Sequence, residues 1–524
     1  MQVGMTKTDV AAVLDALLTG QPFGVEASEV ERIDTAAAHV LLVGPHAYKL
    51  KRPVRFSFLD FTGLDARHRA LEDELRLNRR HAPELYRRLL KLVPEGDRLH
   101  LVAPEAPGAP VEWLLEMVRF PKDAQLDRIA RNGPLDDRLA EALGRTVVAL
   151  HESAEIRHDK GGSEAMTAIV AGNRMDLEAL RPGLFEPDRV ARVDQAAHTA
   201  LARLAPLLDA RRQQGCVRHC HGDLHLGNLV ALDGRVVAFD CIEFDEDFAC
   251  IDVVYDLAFL LMDLVHRGDV RAAWRVLQTR VELADDLTGL AALPFFMALR
   301  ATIRAKVEAL GLSDPPEPQA LAQARRYLDL AAALEPPPAP CLIGIGGLSG
   351  TGKTTLAKVL ASRLRPLPGA VVLRSDVVRK RLWGVPATTR LPAAAYTAAA
   401  SQRVFDQLWS DAEAALGAGW SVIVDAVHRQ PGERRALPDL AARLGVPFTG
   451  FWLEAEARTL RARVTARRGD ASDADAAVVR AQLRLETGAI DWHRLDASAP
   501  LSALVERAGA QLERAGIRCD PSTP

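Results

Sequence analysis

The sequence predicts two domains of different class: an α+β domain in the first 335 residues or so, followed by an α/β domain with a parallel sheet at about 341–524. The chain has 524 residues, which is too many for one compact core. The proline-rich segment 336–340 has no core-forming residues and predicts a stiff linker. Directly after it, an apolar strand enters a glycine-rich loop that is followed by a helical stretch, as in parallel α/β sheets.

Charge and cysteine content argue against several classes of protein. The 66 basic residues nearly balance the 69 acidic ones, for a net charge of −3, so a large nucleic-acid surface is not expected. Six cysteines are too few for a disulfide framework in a chain of this length. The first twenty residues lack the apolar core of a signal peptide, and the longest apolar stretch, Val253 to Val265, is too short to span a bilayer. We therefore expect a cytoplasmic protein with no membrane or protein partner.

The segment His221 to Asn228 carries the pattern H-x-D-x4-N, and an apolar strand that begins at Arg235 leads into Asp240. Phosphoryl transfer needs residues of these types. Asp223 can accept or orient an attacking hydroxyl, while Asn228 and Asp240 supply the hard oxygen ligands that Mg²⁺ takes. The pattern therefore predicts Asp223 as the catalytic residue and the other two as metal ligands.

In these residues the chain resembles the aminoglycoside phosphotransferase-like kinases, whose catalytic loop reads H-G-D-x-H-x-x-N before a metal-binding strand of the I-D-x-E type. The resemblance implies a two-lobed, protein-kinase-like fold, with a small lobe of about residues 1–118 and a large lobe of about residues 119–335. It also implies that this domain uses ATP and Mg²⁺. Asp252 and Asp256 match the helix that follows the metal strand in this family, which implies that an aspartate there braces the catalytic loop.

Two short strands are predicted between residues 38 and 51, and the second carries an A-x-K pattern at Lys49. This pattern is like that of the kinase strand whose lysine contacts the ATP phosphates. The helical stretch 65–81 offers two partners for this lysine, Glu72 and Glu74, on different faces. The resemblance favours Glu74, which stands just ahead of an apolar pair, and Glu72 stays open.

The strand that follows has a candidate role in nucleotide binding. It begins at Val111 and ends at Pro121. A strand that ends at a proline between two lobes is a plausible hinge, whose backbone would receive the adenine. Met117 is the residue predicted to contact the nucleotide there.

The stretch Gly347 to Thr355 reads G-L-S-G-T-G-K-T-T between an apolar strand and a helix. Its glycines let backbone N–H groups approach phosphate oxygens, and the helix N-terminus adds a favourable dipole. Lys353 is expected to reach the β- and γ-phosphates, and Thr354 to ligate Mg²⁺. The residues predicted to bind this nucleotide are Gly347, Ser349, Gly350, Thr351, Gly352, Lys353, Thr354 and Thr355.

Two further strands of this domain end in acidic residues. The segment 371–379 reads V-V-L-R-S-D-V-V-R, and the segment 421–425 ends in Asp425. From about Cys341 to the C-terminus the chain resembles small P-loop kinases of the AAA, zeta-toxin, polynucleotide-kinase, chloramphenicol-phosphotransferase and gluconate-kinase type. The resemblance implies that Asp376 orients the acceptor hydroxyl and that Arg379 binds the substrate. Asp425 fits a role in the Mg²⁺ shell.

The helical stretch 457–469 contains five arginines. It could form a lid that closes over the phosphates, or it could be a solvated basic face. Arg463 and Arg467 are four residues apart and so share a helix face. They are the pair predicted to bind the nucleotide if the stretch is a lid.

Taken together, the patterns predict a bifunctional phosphotransferase. Each domain would use ATP and Mg²⁺ and transfer the γ-phosphoryl group to a hydroxyl of a small molecule. Two alternatives stay open. One domain could be a nucleotide-binding regulator, or the second could act on nucleic-acid ends or on a toxin-type substrate.

Overall fold

The computed structural model describes residues 10–56, 59–284, 286–466 and 470–519. Contacts divide the chain into two units. The first comprises residues 1–135, 149–165 and 210–256, and the second comprises residues 136–148, 166–209 and 257–524. This division does not fall at the proline-rich linker, because helices that precede the linker pack with the C-terminal sheet. The domain boundaries at 335 and 341 stay a prediction from sequence.

The strands of the described residues include those predicted from apolar runs, at 38–51, 98–102, 112–118, 235–238, 342–347, 371–374 and 422–425, together with strands that are not predicted. They are β1 (Val30–Asp34), β2 (Ala38–Val43), β3 (His46–Lys51), β4 (Arg55–Phe56), β5 (Leu59–Asp60), β6 (Tyr86–Glu95), β7 (Arg98–Val102), β8 (Glu112–Val118), β9 (Val217–His219), β10 (Leu229–Leu232), β11 (Arg235–Ala238), β12 (Cys250–Asp252), β13 (Leu342–Gly347), β14 (Val371–Arg374), β15 (Val422–Asp425), β16 (Phe448–Glu454) and β17 (His493–Asp496).

The helices fill the intervals between these strands. They are α1 (Val10–Leu18), α2 (Leu64–Asn78), α3 (Leu126–Asn132), α4 (Asp137–Ser153), α5 (Gly162–Ala179), α6 (Pro187–Gln213), α7 (Glu246–Ala249), α8 (Val253–His266), α9 (Val270–Leu283), α10 (Leu293–Leu310), α11 (Pro318–Leu334), α12 (Lys353–Ala361), α13 (Ser375–Leu382), α14 (Ala398–Gly417), α15 (Pro431–Leu444), α16 (Ala457–Ala466), α17 (Ala476–Gln482) and α18 (Leu501–Arg514).

The first unit is built on a six-stranded antiparallel sheet of order β1-β2-β3-β8-β6-β7. Helix α2 packs against strands β6 and β8 of this sheet. Leu71 of the helix and Leu115 of β8 are fully buried in the same apolar cluster. The hairpin β10–β11 and the antiparallel pair β9–β12 follow in the same unit and carry the segments around the predicted catalytic loop.

The second unit contains a five-stranded sheet of order β14-β15-β13-β16-β17, in which every pair is parallel. Its central strands β13 and β15 are buried along their whole length. Parallel strands covered on both faces need continuous apolar runs, which explains why these segments are apolar without alternation. An α+β unit and a parallel α/β sheet confirm the predicted fold class.

Helix α9 completes the outer edge of the parallel sheet, although it precedes the linker in sequence. Gln278 donates a side-chain N–H to the carbonyl of Val372 at 2.8 Å and accepts the Val372 N–H at 2.9 Å. The Trp274 indole N–H donates to the Ala370 carbonyl at 2.9 Å, and its ring lies in the apolar core of the sheet. The amide of Gln278 therefore supplies the pair of hydrogen bonds that a further strand would make to this residue.

Glu335, which directly precedes the linker, makes the free energy of unfolding depend on pH. Its carboxyl is buried, and Arg203 Nη2 lies 3.9 Å from its Oε2. Burial raises the pKa from 4.5 to about 7, and Arg203 offsets this only in part. Because the folded pKa is the higher one, the folded state binds this proton more tightly. Stability is therefore unaffected by this group below about pH 4.5 and falls as pH rises toward 7.

We expect Glu335→Gln to remove this pH-dependent loss of stability. By linkage, the loss amounts to on the order of 3 kcal/mol in the free energy of unfolding between the unfolded and the folded pKa of Glu335. The Tm difference between variant and wild type should grow from pH 4.5 to pH 7 and level off above it. The exposed Glu506 provides the control as Glu506→Gln. A Tm difference for Glu335→Gln that does not change with pH would contradict the burial argument.

Two expectations from composition can be compared with the fold. All six cysteines lie in described residues and carry free thiols, in keeping with the absence of a disulfide framework. Of the helices in the described ranges, none combines the length and apolar character needed to cross a bilayer.

Candidate active sites

A buried aspartate holds the start of the loop 221–228 in place through hydrogen bonds to its backbone. Asp256, at the start of α8, accepts the backbone N–H of His221 at 3.3 Å and that of Gly222 at 2.9 Å. Its Oδ2 also lies 3.0 Å from Nε2 of His151. Gly222 has a φ of 83°, and a Cβ there would lie 2.9 Å from the carbonyl of Phe248. A glycine is therefore required for the turn that presents Asp223.

Within the loop, two side chains orient Asp223. Asn228 donates through Nδ2 to Asp223 Oδ2 at 2.8 Å and to the Asp223 carbonyl at 3.0 Å. His225 accepts the Gly227 N–H at Nδ1, so its proton is on Nε2, which lies 3.3 Å from Asp223 Oδ2. Because Asn228 uses its amide nitrogen in this way, its amide oxygen is left for a cation.

Lys49 joins two of the predicted partners. Its ammonium lies 2.7 Å from Glu74 Oε1 and 2.5 Å from Asp240 Oδ1. Glu72 instead is 53 % exposed and contacts His68. Of the two glutamates that the residue pattern left open, Glu74 is therefore the one that pairs with Lys49. Burial opposes the charge on Lys49, but Asp240 and Glu74 outweigh it and raise its pKa.

Asp240 is held in an unusual backbone conformation by residues that the sequence argument missed. Its φ is 62°, in the left-handed region that costs a non-glycine residue energy. The Asp240 N–H donates to the Tyr86 hydroxyl at 2.9 Å, and the N–H of Cys241 donates to Asn78 Oδ1 at 3.1 Å. Tyr86 and Asn78 lie more than 150 positions earlier in the chain. No local pattern could have revealed them.

These residues fit a magnesium ion by the chemistry of their donors. Asp240 offers a half-exposed carboxylate whose one oxygen already faces the ammonium of Lys49, and Asn228 offers a free amide oxygen. Desolvation opposes the charge on Asp240, but Lys49 and then Lys51 outweigh it and lower its pKa. The carboxylate is thus kept ionised and ready for a cation.

Met117 lies in β8, and its side chain is buried in the apolar cluster between the sheet and α2. Its Cα pairs with those of Ala47 and Tyr86 on the neighbouring strands. The strand leaves the sheet shortly afterwards, before Pro121. The adenine contact of Met117 stays a prediction, since the buried side chain leaves only the backbone for that role.

In the second unit, the glycine-rich loop connects β13 to α12 as predicted. Gly347 has a φ of 135°, and a Cβ there would lie 2.5 Å from the carbonyl of Leu453. Lys353 is the first residue of α12, and its ammonium lies 3.2 Å from the Leu348 carbonyl. The Ser349 N–H donates to Gln482 Oε1 at 2.9 Å, so a loop amide already faces an oxygen acceptor. Gln482 had no signal in the sequence.

The other predicted residues of this loop divide between its interior and its surface. Gly350 and Gly352 have positive φ angles of 89° and 88°. Thr351 is buried and donates its hydroxyl to Leu348. Thr355 is exposed on the first turn of α12.

Thr354 and Asp425 meet at the carboxyl edge of the parallel sheet. The Thr354 hydroxyl donates to Asp425 Oδ2 at 2.5 Å, and Arg374 Nε lies 3.7 Å from the same oxygen. Strands β13 and β15 are direct neighbours, which explains this proximity. A hydroxyl and a carboxylate oxygen so close together are suitable donors for Mg²⁺.

Asp376 lies in the first turn of α13, directly after β14. Burial raises the pKa of its carboxyl, and Arg374 opposes this shift in part. One turn later, Arg379 is buried and donates to the Ala395 carbonyl at 2.5 Å. No described carboxylate forms an ion pair with Arg379, and burial lowers its pKa. Its guanidinium lies 4.9 Å from the centre of the Tyr396 ring.

The predicted lid helix is only partly described. Arg463 is exposed on α16 and donates to the Ala497 carbonyl at 2.9 Å. Arg467 lies outside the described residues. A phosphate-binding role for this pair stays a prediction.

Two family models match the chain, one in each of the two segments that carry the candidate sites. Residues 103–293 match the sequence model of the family described as "Phosphotransferase enzyme family". Residues 342–487 match the model of the family described as "AAA domain". These matches contain Asp223, Asn228 and Asp240 in the first segment, and the glycine-rich loop in the second.

Among curated proteins, the chain is similar to uncharacterized proteins of Mycobacterium tuberculosis and Mycobacterium bovis. It is 29 % identical to each over 515 residues, which cover 94 % of this chain and 96 % of the relative. Both segments therefore occur together in the relatives, in one chain of similar length.

Among solved structures, the chain is similar to a choline/ethanolamine kinase family protein from Mesorhizobium loti, with 13 % identity and a TM-score of 0.40. The similarity covers 63 % of this chain and 96 % of that chain. The chain is also similar to a gluconokinase from Sinorhizobium meliloti, with 22 % identity, a TM-score of 0.25, and coverage of 33 % of this chain and 93 % of that chain. Scores this low support no conclusion about substrates. The family matches are more informative: residues 103–293 form a phosphotransferase-type, kinase-like segment and residues 342–487 a P-loop segment, which together support phosphotransferase activity and the use of ATP in general.

Proposed function

We propose that the chain is a bifunctional kinase in which each segment transfers the γ-phosphoryl group of ATP to a hydroxyl of a small molecule. The observation that carries this proposal is the contact of Lys49 with both Glu74 and Asp240, beside the Asp223–Asn228 pair. The residues proposed for three kinase functions thereby lie close together: a lysine for the phosphates, an aspartate for the metal and an aspartate for the acceptor. The Thr354–Asp425 contact beside Lys353 supports the same proposal for the second segment.

In the first segment, Asn228 and Asp240 would hold Mg²⁺, which neutralises charge on the phosphates when bound. Lys49 would bind the α- and β-phosphates. Asp223 would accept a hydrogen bond from the acceptor hydroxyl and align its oxygen with the γ-phosphorus. The oxygen–phosphorus bond forms as the bond to the β-phosphate oxygen breaks, and the hydroxyl proton passes to Asp223 late in the step. Positioning and charge neutralisation therefore account for most of the catalysis.

In the second segment, Asp376 would orient the acceptor hydroxyl and Arg379 would bind another part of the same acceptor. Neighbouring cations already have carboxylate partners, since Lys380 pairs with Asp473 and Arg381 pairs with Asp411. Among the described residues, Arg379 donates to the neutral oxygens of Ala395 and Ser401. Asp376 and Asp473 act on it from a greater distance. A buried guanidinium in this state is suited to an anion. The proposed acceptor therefore carries a carboxylate or phosphate about one helical turn from its reactive hydroxyl.

The experiment that tests the proposal is a transfer assay with labelled ATP and a panel of acceptors. The panel contains hydroxy acids, sugar acids and sugar phosphates, their neutral counterparts, aminoglycosides and 5′-hydroxyl oligonucleotides. We expect label in at least one small hydroxyl compound. Transfer by the first segment should be lost in Asp223→Asn alone, and transfer by the second segment should be lost in Lys353→Ala alone. ATP hydrolysis without transfer to any acceptor would favour a regulatory role, and transfer to oligonucleotides alone would replace the small-molecule proposal for the second segment.

Arg379→Met is expected to raise KM for an anionic acceptor about 10- to 100-fold, because a charge-assisted hydrogen bond of about 1.5–3 kcal/mol is lost. KM for ATP should stay unchanged. Arg381→Met on the same helix is the matched control, since Arg381 already pairs with Asp411. An equal effect of both variants, or an effect on neutral acceptors of the same size, would contradict the assigned role.

A further inference from the structure

Strand β3 carries two lysines on one face, and the second has a more enclosed environment than the first. Lys49 and Lys51 are two positions apart, so their side chains point the same way. The ammonium of Lys51 lies 2.8 Å from Glu74 Oε2 and 2.5 Å from Glu243 Oε1. The side chains of Lys51, Glu74 and Glu243 are 4 %, 0 % and 5 % exposed. Glu74 therefore binds a different lysine with each of its two oxygens.

Glu243 connects this cluster to the metal-binding segment. It stands three residues after Asp240. Between them, the N–H of Ile242 donates to the His221 carbonyl at 2.9 Å, which ties the segment to the catalytic loop. Lys51 thus joins three elements: its own strand, helix α2 through Glu74, and the Asp240 segment through Glu243.

The three carboxylates of Glu74, Asp240 and Glu243 face the two lysines. Lys49 contacts Oδ1 of Asp240, the same carboxylate that would hold Mg²⁺. A magnesium ion bound there would weaken the attraction between Asp240 and Lys49, because the ion would neutralise charge on that carboxylate. The ammonium of Lys49 would then be available to the nucleotide phosphates, while Lys51 would keep its contacts with Glu74 and Glu243.

We propose that Lys51 and Glu243 form a positioning pair that holds Glu74 and the Asp240 segment in place while Lys49 binds the nucleotide and Asp240 binds Mg²⁺. The proposal rests on the proposed function of the first segment. It assigns to Lys51 a task distinct from that of Lys49: Lys49 contacts the nucleotide, and Lys51 acts through Glu74 and Asp240. The pair lowers the Mg²⁺ concentration that nucleotide binding requires.

The test measures binding of a non-hydrolysable ATP analogue to the full chain by calorimetry over a range of Mg²⁺ concentrations. A Lys353→Ala background restricts the signal to the first site. We expect Lys51→Met and Glu243→Gln each to raise the Mg²⁺ concentration for half-maximal binding about tenfold, as is typical when a partner of a metal ligand is removed. The double variant should be no more than about twofold worse than either single one, since the two residues act as a unit. Lys51→Arg should restore much of the loss.

Lys91→Met is the matched control, because Lys91 is also a buried lysine of the same sheet, and its hydrogen bonds to described residues are to the carbonyls of Ala106 and Gly108. It should leave the Mg²⁺ dependence unchanged. Additive effects of the two substitutions, or an unchanged Mg²⁺ requirement in Lys51→Met, would refute the pair while leaving the proposed kinase intact. If the parent protein binds no Mg²⁺–nucleotide, the proposed function itself fails, and the pair with it. Glu243→Gln preserves shape, so it gives an answer even if Lys51→Met does not fold.

Discussion

Replacing Asp223 with asparagine is expected to lower turnover of the first segment by about 10²-fold or more, while nucleotide binding survives. The carboxylate is 40 % exposed, accepts a hydrogen bond from Asn228 and lies 3.3 Å from Nε2 of His225, so it is both positioned and accessible. An amide in its place has similar shape but cannot receive the hydroxyl proton. Transfer of labelled phosphate at saturating ATP measures the effect.

The control for this variant is Asp247→Asn, an exposed aspartate of the same unit that pairs with Lys160. It should leave turnover unchanged. If Asp223→Asn retains full turnover, Asp223 does not have the assigned role, and the catalytic residue must be sought elsewhere. A loss of nucleotide binding in the variant would instead indicate that the loop itself has been disturbed.

Replacing Lys353 with alanine is expected to lower turnover of the second segment by about 10²- to 10³-fold, the usual loss when one group that stabilises transferred charge is removed. The ammonium lies at the start of α12, beside the loop carbonyl of Leu348, and within the unit that holds Asp425. Transfer by the first segment should be unaffected.

Lys358→Ala, five residues further along α12, serves as the comparison because Lys358 is outside the glycine-rich loop. Equal losses in the two variants would point to helix destabilisation. Loss of first-segment transfer in Lys353→Ala would mean that the two activities are coupled and would overturn the picture of independent sites.

Most of the candidate site residues are predicted from short patterns in the sequence. The loop 221–228, Asp240 and the glycine-rich loop each belong to a contiguous motif whose chemistry limits the residue types. The resemblance favours Glu74 over Glu72, but the residue pattern alone leaves both open, because the choice depends on how α2 rotates against the sheet. In the structure Glu74 faces Lys49.

The residues that sequence reasoning missed make their contacts over long distances in the chain. Tyr86 and Asn78 support the backbone at 240 and 241, and Gln482 faces the loop amide of Ser349. Such contacts are set by tertiary packing and leave no spacing to recognise. The roles of the predicted site residues await the measurements described above.

The position of Gln278 limits how the two segments can be separated. A fragment that began at the proline linker would lose the amide that satisfies Val372 and the indole that fills the core beside Ala370. It would also present an uncovered sheet edge, which is a template for pairing with other chains. We therefore expect a fragment of the P-loop segment that starts at residue 341 to be less stable than the same segment with helix α9. Helix α9 is thus a structural component of the P-loop segment, although the sequence assigns it to the domain that precedes the linker.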